Sequence, residues 1–327
     1  MSKPASPSAQ PPLGVIVTPV YNGQNYLEET MASVQAQDYP NLLHIVLDNA
    51  STDKTPAIVA RYAGARIPVR TIRNPAVLPI GQNWNAAVSL IPTEAKYFRV
   101  LSADDLIAPQ FMSRAIDVLE RHPNVGVVAV LFHENDGSTI DPRWPADGEV
   151  IAGPEAIKLY FRDLALLPSL HAVYRRSAAP PGRPFFDEAL TAFDLDATFR
   201  ALCRSDMGLV RADLAMTRLH PGTITSQVLD RERRHYYEWL YFLQRYGAVG
   251  LGQREAEAII KRYRRQYLRL LIKWYLKGNR EMPVQHLKNM AKLGIRPNHL
   301  QFADALLDWL LVKLRARTPW VGYPYLN

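Results

Sequence analysis

Two adjacent carboxylates, Asp104 and Asp105, close the segment Ser102-Ala103-Asp104-Asp105 directly after the apolar run of residues 97–101. A hard divalent cation takes carboxylate oxygens as ligands and keeps positions open for substrate phosphates, so acids at a strand end can anchor Mg²⁺ or Mn²⁺. Taken alone, such a pair suits a helix cap or a solvated turn at least as well. Asp48 ends a second apolar run, LHIVLD, just before Asn49-Ala50-Ser51-Thr52-Asp53. An acid there can accept from the N–H of a base or from a ribose hydroxyl, although turns also recruit Asp and Asn for local hydrogen bonds. Neither acid identifies a reaction until the elements that present it are known.

Those elements alternate between two periodicities. Residues 13–20 (LGVIVTPV) form a continuous, β-branched apolar run that ends in the turn-prone Tyr21-Asn22-Gly23, the pattern of a buried strand entering a loop. Asn25, with Glu28 three residues on, predicts a capped helix carrying Met31 and Val34 to Gln37. The unit recurs: strand 42–47, helix 53–62, strand 69–72, helix 81–91, strand 97–101, helix 109–121 and strand 125–132. Strands alternating with helices of about ten residues imply βαβ units and a mostly parallel sheet covered on both faces. Ligands of such sheets sit beyond the carboxyl ends of the strands. That rule singles out four loops, residues 19–22, 48–53, 73–85 and 102–105. The Gly, Pro and Asp-rich stretch HENDGSTIDPRWPADG is expected as a surface loop near the active site, followed by a strand at 170–174, a helix at 194–203 and a loop around His220. From residue 228 onward the pattern is helical, and there is no internal repeat.

Composition narrows the classes. The 327 residues, 48% hydrophobic and 21% charged, can bury a sizeable core. A single cysteine, Cys203, excludes an internal disulfide or a thiolate metal site and fits a cytoplasmic setting. The opening MSKPASPSAQPP is expected to be a disordered tail (residues 1–12) without the apolar core of a signal peptide. No stretch approaches the ~18 uninterrupted apolar residues of a membrane-spanning helix. Residues 228–327 hold 19 Lys and Arg against 8 Asp and Glu, a net of +11, whereas residues 1–227 hold 20 against 23, a net of −3. A near-neutral small-molecule enzyme followed by a basic helical region that seeks an anionic surface is the expectation.

The order and spacing of the motifs resemble the family 2 glycosyltransferases of the GT-A fold over about residues 13–225. VTPVYNGQNYLEETMASVQAQDYPNLLHIVLDNASTDKT looks like that family's first two βα units. GQNWNAA is similar to its helix ending in an Asn beside the donor, and LSADD falls where it keeps its D-x-D metal motif. FDEALTAFDLDATFRAL matches the segment of the catalytic base, with an Arg six residues after the acid, and MTRLHPGTIT resembles the closing R-x-H-P-G loop.

The resemblance implies roles for individual residues. Pro19 and Tyr21 would wall the nucleotide base, Asp48 would bind base or ribose, Asn85 would lie near the donor, and Asp104 would reach the ribose. Asp105 would hold the divalent cation, Mn²⁺ or Mg²⁺, that bridges the diphosphate, with His220 contacting metal or pyrophosphate from the opposite side. Asp194 would be the base that takes the acceptor hydroxyl proton in an inverting transfer, and it also suits the N-cap of its helix. Asp196 would point to another side of that helix, and Asp187 and Glu188 would organise the acceptor-side loop. Two positions depart from the pattern: Ser102 stands where many relatives have the first Asp, and Phe193 where many have Glu.

The implied function is metal-dependent, inverting transfer of a sugar from a nucleotide diphosphate-sugar to a saccharide or lipid-linked acceptor, in surface glycan synthesis, with no nucleic-acid partner. The implied organisation is a GT-A domain at 13–227, split into a nucleotide-binding half (13–132) and an acceptor half (133–227), then the helical region at 228–327. A sugar nucleotidyltransferase would need a basic Gly-rich loop after the first strand, where this chain has Tyr21-Asn22-Gly23-Gln24, and a dinucleotide enzyme would need G-x-G-x-x-G there. A non-catalytic sugar-nucleotide binder with a degenerate site is the remaining alternative. In the basic region, Ile259, Tyr263, Tyr267, Leu270, Leu271 and Trp274 form an apolar stripe at helical spacing, with Arg262, Arg265, Arg269, Lys273 and Lys277 on another face. That stripe could lie on an anionic membrane, dock on the catalytic domain, or join two copies as a homodimer.

Overall fold

The computed structural model describes residues 10–167, 169–179, 183–223 and 232–314. Most of the expected N-terminal tail and the expected boundary at 227/228 lie outside the described residues. Strand β1 (Gly14–Val20) is buried along its whole length. Its side chains alternate between two cores, Val15 and Val17 into one and Ile16 into the other, as a strand covered on both faces requires. β2 (Leu42–Asp48) and β4 (Tyr97–Val100) flank it in parallel, and β3 (Val69–Arg73) lies beside β2. Register aligns Val20 with Asp48 and Asp48 with Arg73, so these strands end at one edge.

Beyond β4 come β5 (Leu106–Ile107), β6 (Val125–Glu134), β7 (Val150–Ile151), β8 (Ala172–Arg175) and β9 (Asp206–Thr217), in the sheet order β3-β2-β1-β4-β8-β6-β9-β5, with β7 paired to β9. β8 runs against both β4 and β6, while β6 and β9 pair in parallel. The sheet is therefore mixed but mostly parallel. Helices α1 (Leu27–Gln35), α2 (Thr55–Ala60) and α4 (Phe111–Arg121) cover one face, and α3 (Ile80–Ser89), α5 (Gly153–Phe161) and α6 (Phe193–Leu202) the other.

One local expectation is corrected. Asn25 does not cap α1. Tyr26 takes that position, the N–H groups of Tyr26 and Leu27 donate to the Gly23 carbonyl at 3.1 and 2.9 Å, and Glu28 instead accepts from the Tyr62 hydroxyl at 2.8 Å and pairs with Arg61. The turn after β1 thus supplies the acceptor that a side-chain cap would have supplied. The 133–148 stretch is largely exposed, and it touches the rim of the main cleft through Asn135, whose N–H donates to the Thr217 carbonyl at 3.1 Å. Trp144 anchors it in the core, its indole N–H donating to the Leu166 carbonyl at 3.2 Å, and Asn135 accepts from Leu219 N–H at 2.9 Å. β6 runs through residues 132 and 133.

The C-terminal region is helical and folds as α7 (His235–Leu251), α8 (Gln253–Leu276), α9 (Glu281–Lys292) and α10 (His299–Leu314). α7 packs on α5 so closely at Gly250 that a Cβ there would lie 2.5 Å from Lys158 N and 2.8 Å from Pro154 O. The apolar stripe of α8 turns inward onto α7: Ile259, Tyr263, Tyr267 and Leu271 are buried, and the Tyr263 hydroxyl donates to the Tyr236 carbonyl at 2.9 Å. Trp274 meets Tyr236 edge-on, with ring centroids 5.9 Å apart. The stripe is a packing surface, closed to lipid. One hydrophobic cluster runs without interruption from Val15 and Val17 through Tyr236 and Tyr267 to Ala305. Among the described residues no helix is long and apolar enough to cross a membrane.

Candidate active site

At the carboxyl edge of the parallel strands lies a cleft of about 940 Å³. Pro19, Tyr21 and Asn22 at the end of β1, Asn49 after β2, Leu78, Ile80, Asn83 and Trp84 around the start of α3, and Ser102 to Asp105 after β4 line it. The far wall consists of Ser169 and Leu170 before β8, Thr191 to Leu195 at the start of α6, and Thr217 to His220 after β9. Each of the four loops expected at this edge contributes.

The first two loops are held together by their own polar side chains. Asn22 and Ala50 both take the left-handed conformation, at φ 50° and 58°, which Asn tolerates far better than Ala. In that geometry Asn22 N–H donates to Ser51 Oγ and Thr52 N–H to Asn22 Oδ1, both at 2.9 Å, Gly23 N–H to Thr55 Oγ1 at 2.8 Å, and Gln24 N–H to Asp53 Oδ2 at 2.9 Å. The YNGQ and NASTDKT segments are two sides of one clamp. Asn49 extends it by accepting from Leu78 N–H and donating to the Leu78 carbonyl, each at 2.9 Å, which fixes the loop before α3.

The paired acids sit differently. Asp105 is buried and accepts the Arg218 N–H at 3.0 Å. Burial first, and then the neighbouring Asp104 charge, push its pKa up to about 7. Asp104 is more open, and its Oδ2 lies 3.1 Å from His220 Nε2. His220 Nδ1 accepts from Gly222 N–H, which leaves the proton on Nε2 to face Asp104. The His220 ring packs on Tyr26 at 4.7 Å, and the Arg218 guanidinium lies 4.6 Å over the same tyrosine and pairs with Glu29 at 2.7 Å. The Thr30 hydroxyl of α1 reaches the carbonyls of Ala103 and Asp105 at 3.0 and 2.9 Å. Beneath lies Arg99, fully buried against Phe111, with Nη2 3.0 Å from His171 Nδ1, while His171 Nε2 meets Thr217 Oγ1 at 2.6 Å. Nε and Nη1 of Arg99 have no hydrogen-bond partner among the described residues, and desolvation pulls its pKa down to about 10.

Asp194 faces the cleft from the first turn of α6, a favourable place for a carboxylate. The residue is half-buried, yet its carboxyl lies deep enough that desolvation raises its pKa, against hydrogen bonds that favour the charged form. One of these is the Ser169 hydroxyl, donating at 2.7 Å. Asp196 points inward as expected, to Arg200 at 2.7 Å and the Tyr246 hydroxyl at 2.5 Å. Phe193 is buried edge-on to Trp84 and Phe186, at 5.1 and 5.0 Å, and so ties α6 to α3.

Two anticipated residues are placed elsewhere. Asp48 is buried behind the cleft, where it pairs with Arg73 and accepts from Ser51 N–H at 2.9 Å, a brace for its own loop. Asn85 is turned away: it accepts from Phe186 N–H at 2.8 Å and donates to the Phe186 carbonyl and to Glu188 Oε1, both at 3.0 Å. Its neighbour two positions back, Asn83, lines the cleft instead. Glu188 thereby braces the 183–192 loop, and Asp187 contributes by accepting from Ala189 N–H at 3.1 Å.

Sequence reasoning passed over Glu238 of α7. Its buried carboxylate accepts from Thr191 N–H at 2.7 Å and Ala192 N–H at 3.0 Å, and Arg234 donates to the Thr191 hydroxyl at 3.1 Å. The helical region thus holds the peptide that leads into Asp194. The available signal was a lone acid inside the aromatic run HYYEWLYFL, where only a partnered carboxylate can be buried.

A sheet of this order, with carboxylates and a histidine gathered at its strand ends and a further acid on the opposite wall, defines a transferase of the GT-A type. The chain belongs to glycosyl transferase family 2, whose family model it matches over residues 15–180. It is a glycosyltransferase. It is 28% identical over 241 residues to an uncharacterized glycosyltransferase of Rickettsia typhi, covering 72% of each chain. It is also 28% identical over 135 residues, 40% of this chain and 51% of the relative, to the putative teichuronic acid biosynthesis glycosyltransferase TuaG of Bacillus subtilis. Among solved structures, S. aureus TarS (residues 1–349, in complex with UDP-GlcNAc) shares the fold with a TM-score of 0.67 at 17% identity, over 94% of this chain and 91% of that one.

Proposed function

We propose that the cleft binds a nucleotide diphosphate-sugar and transfers its sugar, with inversion, to a hydroxyl of a saccharide or lipid-linked acceptor in cytoplasmic surface-glycan synthesis. The observation that carries the reading is the opposition of Asp194 to Asp104, Asp105 and His220 across one cleft, in a chain of this family. Tyr21, half-exposed at the mouth, offers a face on which a base can stack, with Pro19 beside it and Asn83 on the adjoining wall. Asp48 serves this site by shaping the loop, and Asn85 by joining α3 to the acceptor side. Support for the donor class comes from TarS, crystallised with UDP-GlcNAc, and for the acceptor class from TuaG.

The donor set suits a divalent cation. Among the described residues no group of three or more His, Cys, Asp or Glu is arranged to enclose a metal ion. Mg²⁺ and Mn²⁺ need no such cage, since one or two carboxylates plus substrate phosphates suffice. Asp105 would be the principal ligand, because it is the acid whose charge burial and Asp104 disfavour. When bound, a cation would neutralise charge on the departing diphosphate. Asp194, deprotonated, accepts the proton of the acceptor hydroxyl, Ser169 orients its carboxyl, and the aromatic wall of Trp84, Phe186 and Phe193 keeps the start of α6 in place.

A thermal-shift series with UDP-, GDP- and CMP-linked sugars, with and without Mn²⁺, tests the reading, followed by a transfer assay with the donor that binds. A donor at 100 times its Kd stabilises by roughly 2.7 kcal/mol. Failure of every nucleotide sugar to stabilise the protein in either condition overturns it, and stabilisation without hydrolysis or transfer would mark a sugar-nucleotide binder.

A further inference from the structure

With the stripe of α8 closed against α7, the largest exposed apolar group among the described residues of the basic region is on α10. Arg265 and Arg269 of α8 pair with Asp304 and Asp308 of α10, each at 2.8 Å, and Ala305 and Phe302 complete the inner contact. At 100° per residue those arginines lie on the side of α8 opposite Tyr263 and Tyr267, so α10 is the outer layer of the helical region. On its outer side Leu300, Leu306, Leu307, Leu310 and Leu311 fall within an arc of about 140° and are 41% to 79% exposed. This is the width of a core-facing stripe, and among the described residues nothing packs upon it.

Charge identifies the occupant. Exposed Lys261 lies on one side of the Arg265–Arg269 row, and exposed Arg262 and Lys273 on the other, so cations border α10 along both flanks. The ion pairs also run α8 and α10 in the same direction. Leu310 and Leu311 therefore lie beside the last turns of α8, where Tyr275 and Leu276 are exposed and Lys277 and Arg280 follow. The sequence after α10, residues 315–327, adds Arg315, Arg317, Trp320, Tyr323 and Tyr325 and no acid. A second copy would bring two regions of net +11 together, whereas an anionic bilayer attracts them. An apolar helix face bordered by Lys and Arg with aromatics at one end is suited to the headgroup boundary.

We propose that the outer face of α10 seats the enzyme on an anionic membrane surface, with Leu307 and Leu311 entering the acyl boundary and Lys261, Arg262 and Lys273 meeting the headgroups. The inference is independent of donor and acceptor, so it can fail while the catalytic reading stands, and the reverse. The test is co-sedimentation of the full-length protein with vesicles of phosphatidylcholine and phosphatidylglycerol, against phosphatidylcholine alone, at low and high salt. Wild type is expected to pellet with the anionic vesicles and to be released by salt, which screens such contacts within ~8 Å at physiological strength. Leu307→Gln/Leu311→Gln is expected to lose roughly tenfold or more of the partition, with an unchanged melting temperature because both positions face solvent. Lys261→Glu/Arg262→Glu/Lys273→Glu is expected to abolish binding with α10 intact. Absence of binding to anionic vesicles at low salt, or equal binding by the leucine variant, overturns the proposal. So does a wild-type dimer that the leucine variant converts to monomer, which would make this face an interface between copies.

Discussion

Burial raises the pKa of Asp194 and of Asp105 alike, and the consequences differ because of what each carboxyl faces. Asp194 must be deprotonated to act as a base, so the acidic limb of the rate profile should lie above the ordinary carboxylate range, with activity falling as pH drops through it. Asp194→Asn should lower turnover roughly 10²-fold or more and leave donor affinity nearly unchanged, as kcat and donor titration would show. Ser169→Ala removes a bond that favours the charged form, so the same limb should move to higher pH. Asp105, pushed up to about 7, binds a proton in the folded chain at pH values where the unfolded chain has released it. Its contribution to stability therefore declines as pH rises from the ordinary Asp value near 3.8 to about 7. In metal-free protein above pH 7, Asp105→Asn should raise the melting temperature. The same substitution should abolish metal-stimulated donor binding, and a thermal melt with and without Mn²⁺ reads both effects.

Elements transmit these demands through a few contacts. The start of α6 is held from α7 by Glu238, whose loss would leave two N–H groups of a half-buried turn without that acceptor, at up to roughly 1–3 kcal/mol each. Glu238→Ala should lower kcat about tenfold or more with donor affinity retained, since small displacements of a reacting group are costly. Glu238→Gln, which keeps one acceptor, should recover part of the loss, and a purely structural defect would depress donor binding as well. α7 meets α5 through Gly250, where a methyl group would press on backbone atoms that cannot retreat. Gly250→Ala is expected to destabilise by roughly 1–3 kcal/mol in denaturant titration.

Across the whole molecule, one hydrophobic cluster joins the sheet to the C-terminal helices, so the two regions are expected to melt together. Calorimetry should show one cooperative transition. A chain ended at residue 227 would expose the surfaces of α5 and α6 that now meet Trp239, Phe242 and Tyr246, whose rings lie 5.0 to 5.7 Å from Phe161 and Phe199. It should aggregate or melt at lower temperature, which light scattering during heating would detect. A second transition in the full chain, or a soluble and equally stable fragment, would show two independent units instead.

Strands β1 to β4, β6 and β8, the loops that line the cleft and the family were legible in the linear chain, whereas β9 (Asp206–Thr217) and the short β5 and β7 were not expected. Hydrophobic periodicity and turn residues are local, and the acids sit in motifs whose spacing is itself the signal. That Asp104, Asp105, Asp194 and His220 would share one cleft was legible for that reason. The direction of Asp48 and Asn85 was not, because a side chain one residue along a turn or helix faces another partner, and only packing decides which. The sequence could mark Glu238 as an acid needing partners but not name them, since Thr191 and Ala192 are more than forty positions away. The apolar stripe on α8 was equally legible, but periodicity states that a face must be covered and not by what. Tertiary structure gave that face to α7 and left the leucines of α10 open, because a helix can be read alone while burial is a property of the elements it meets.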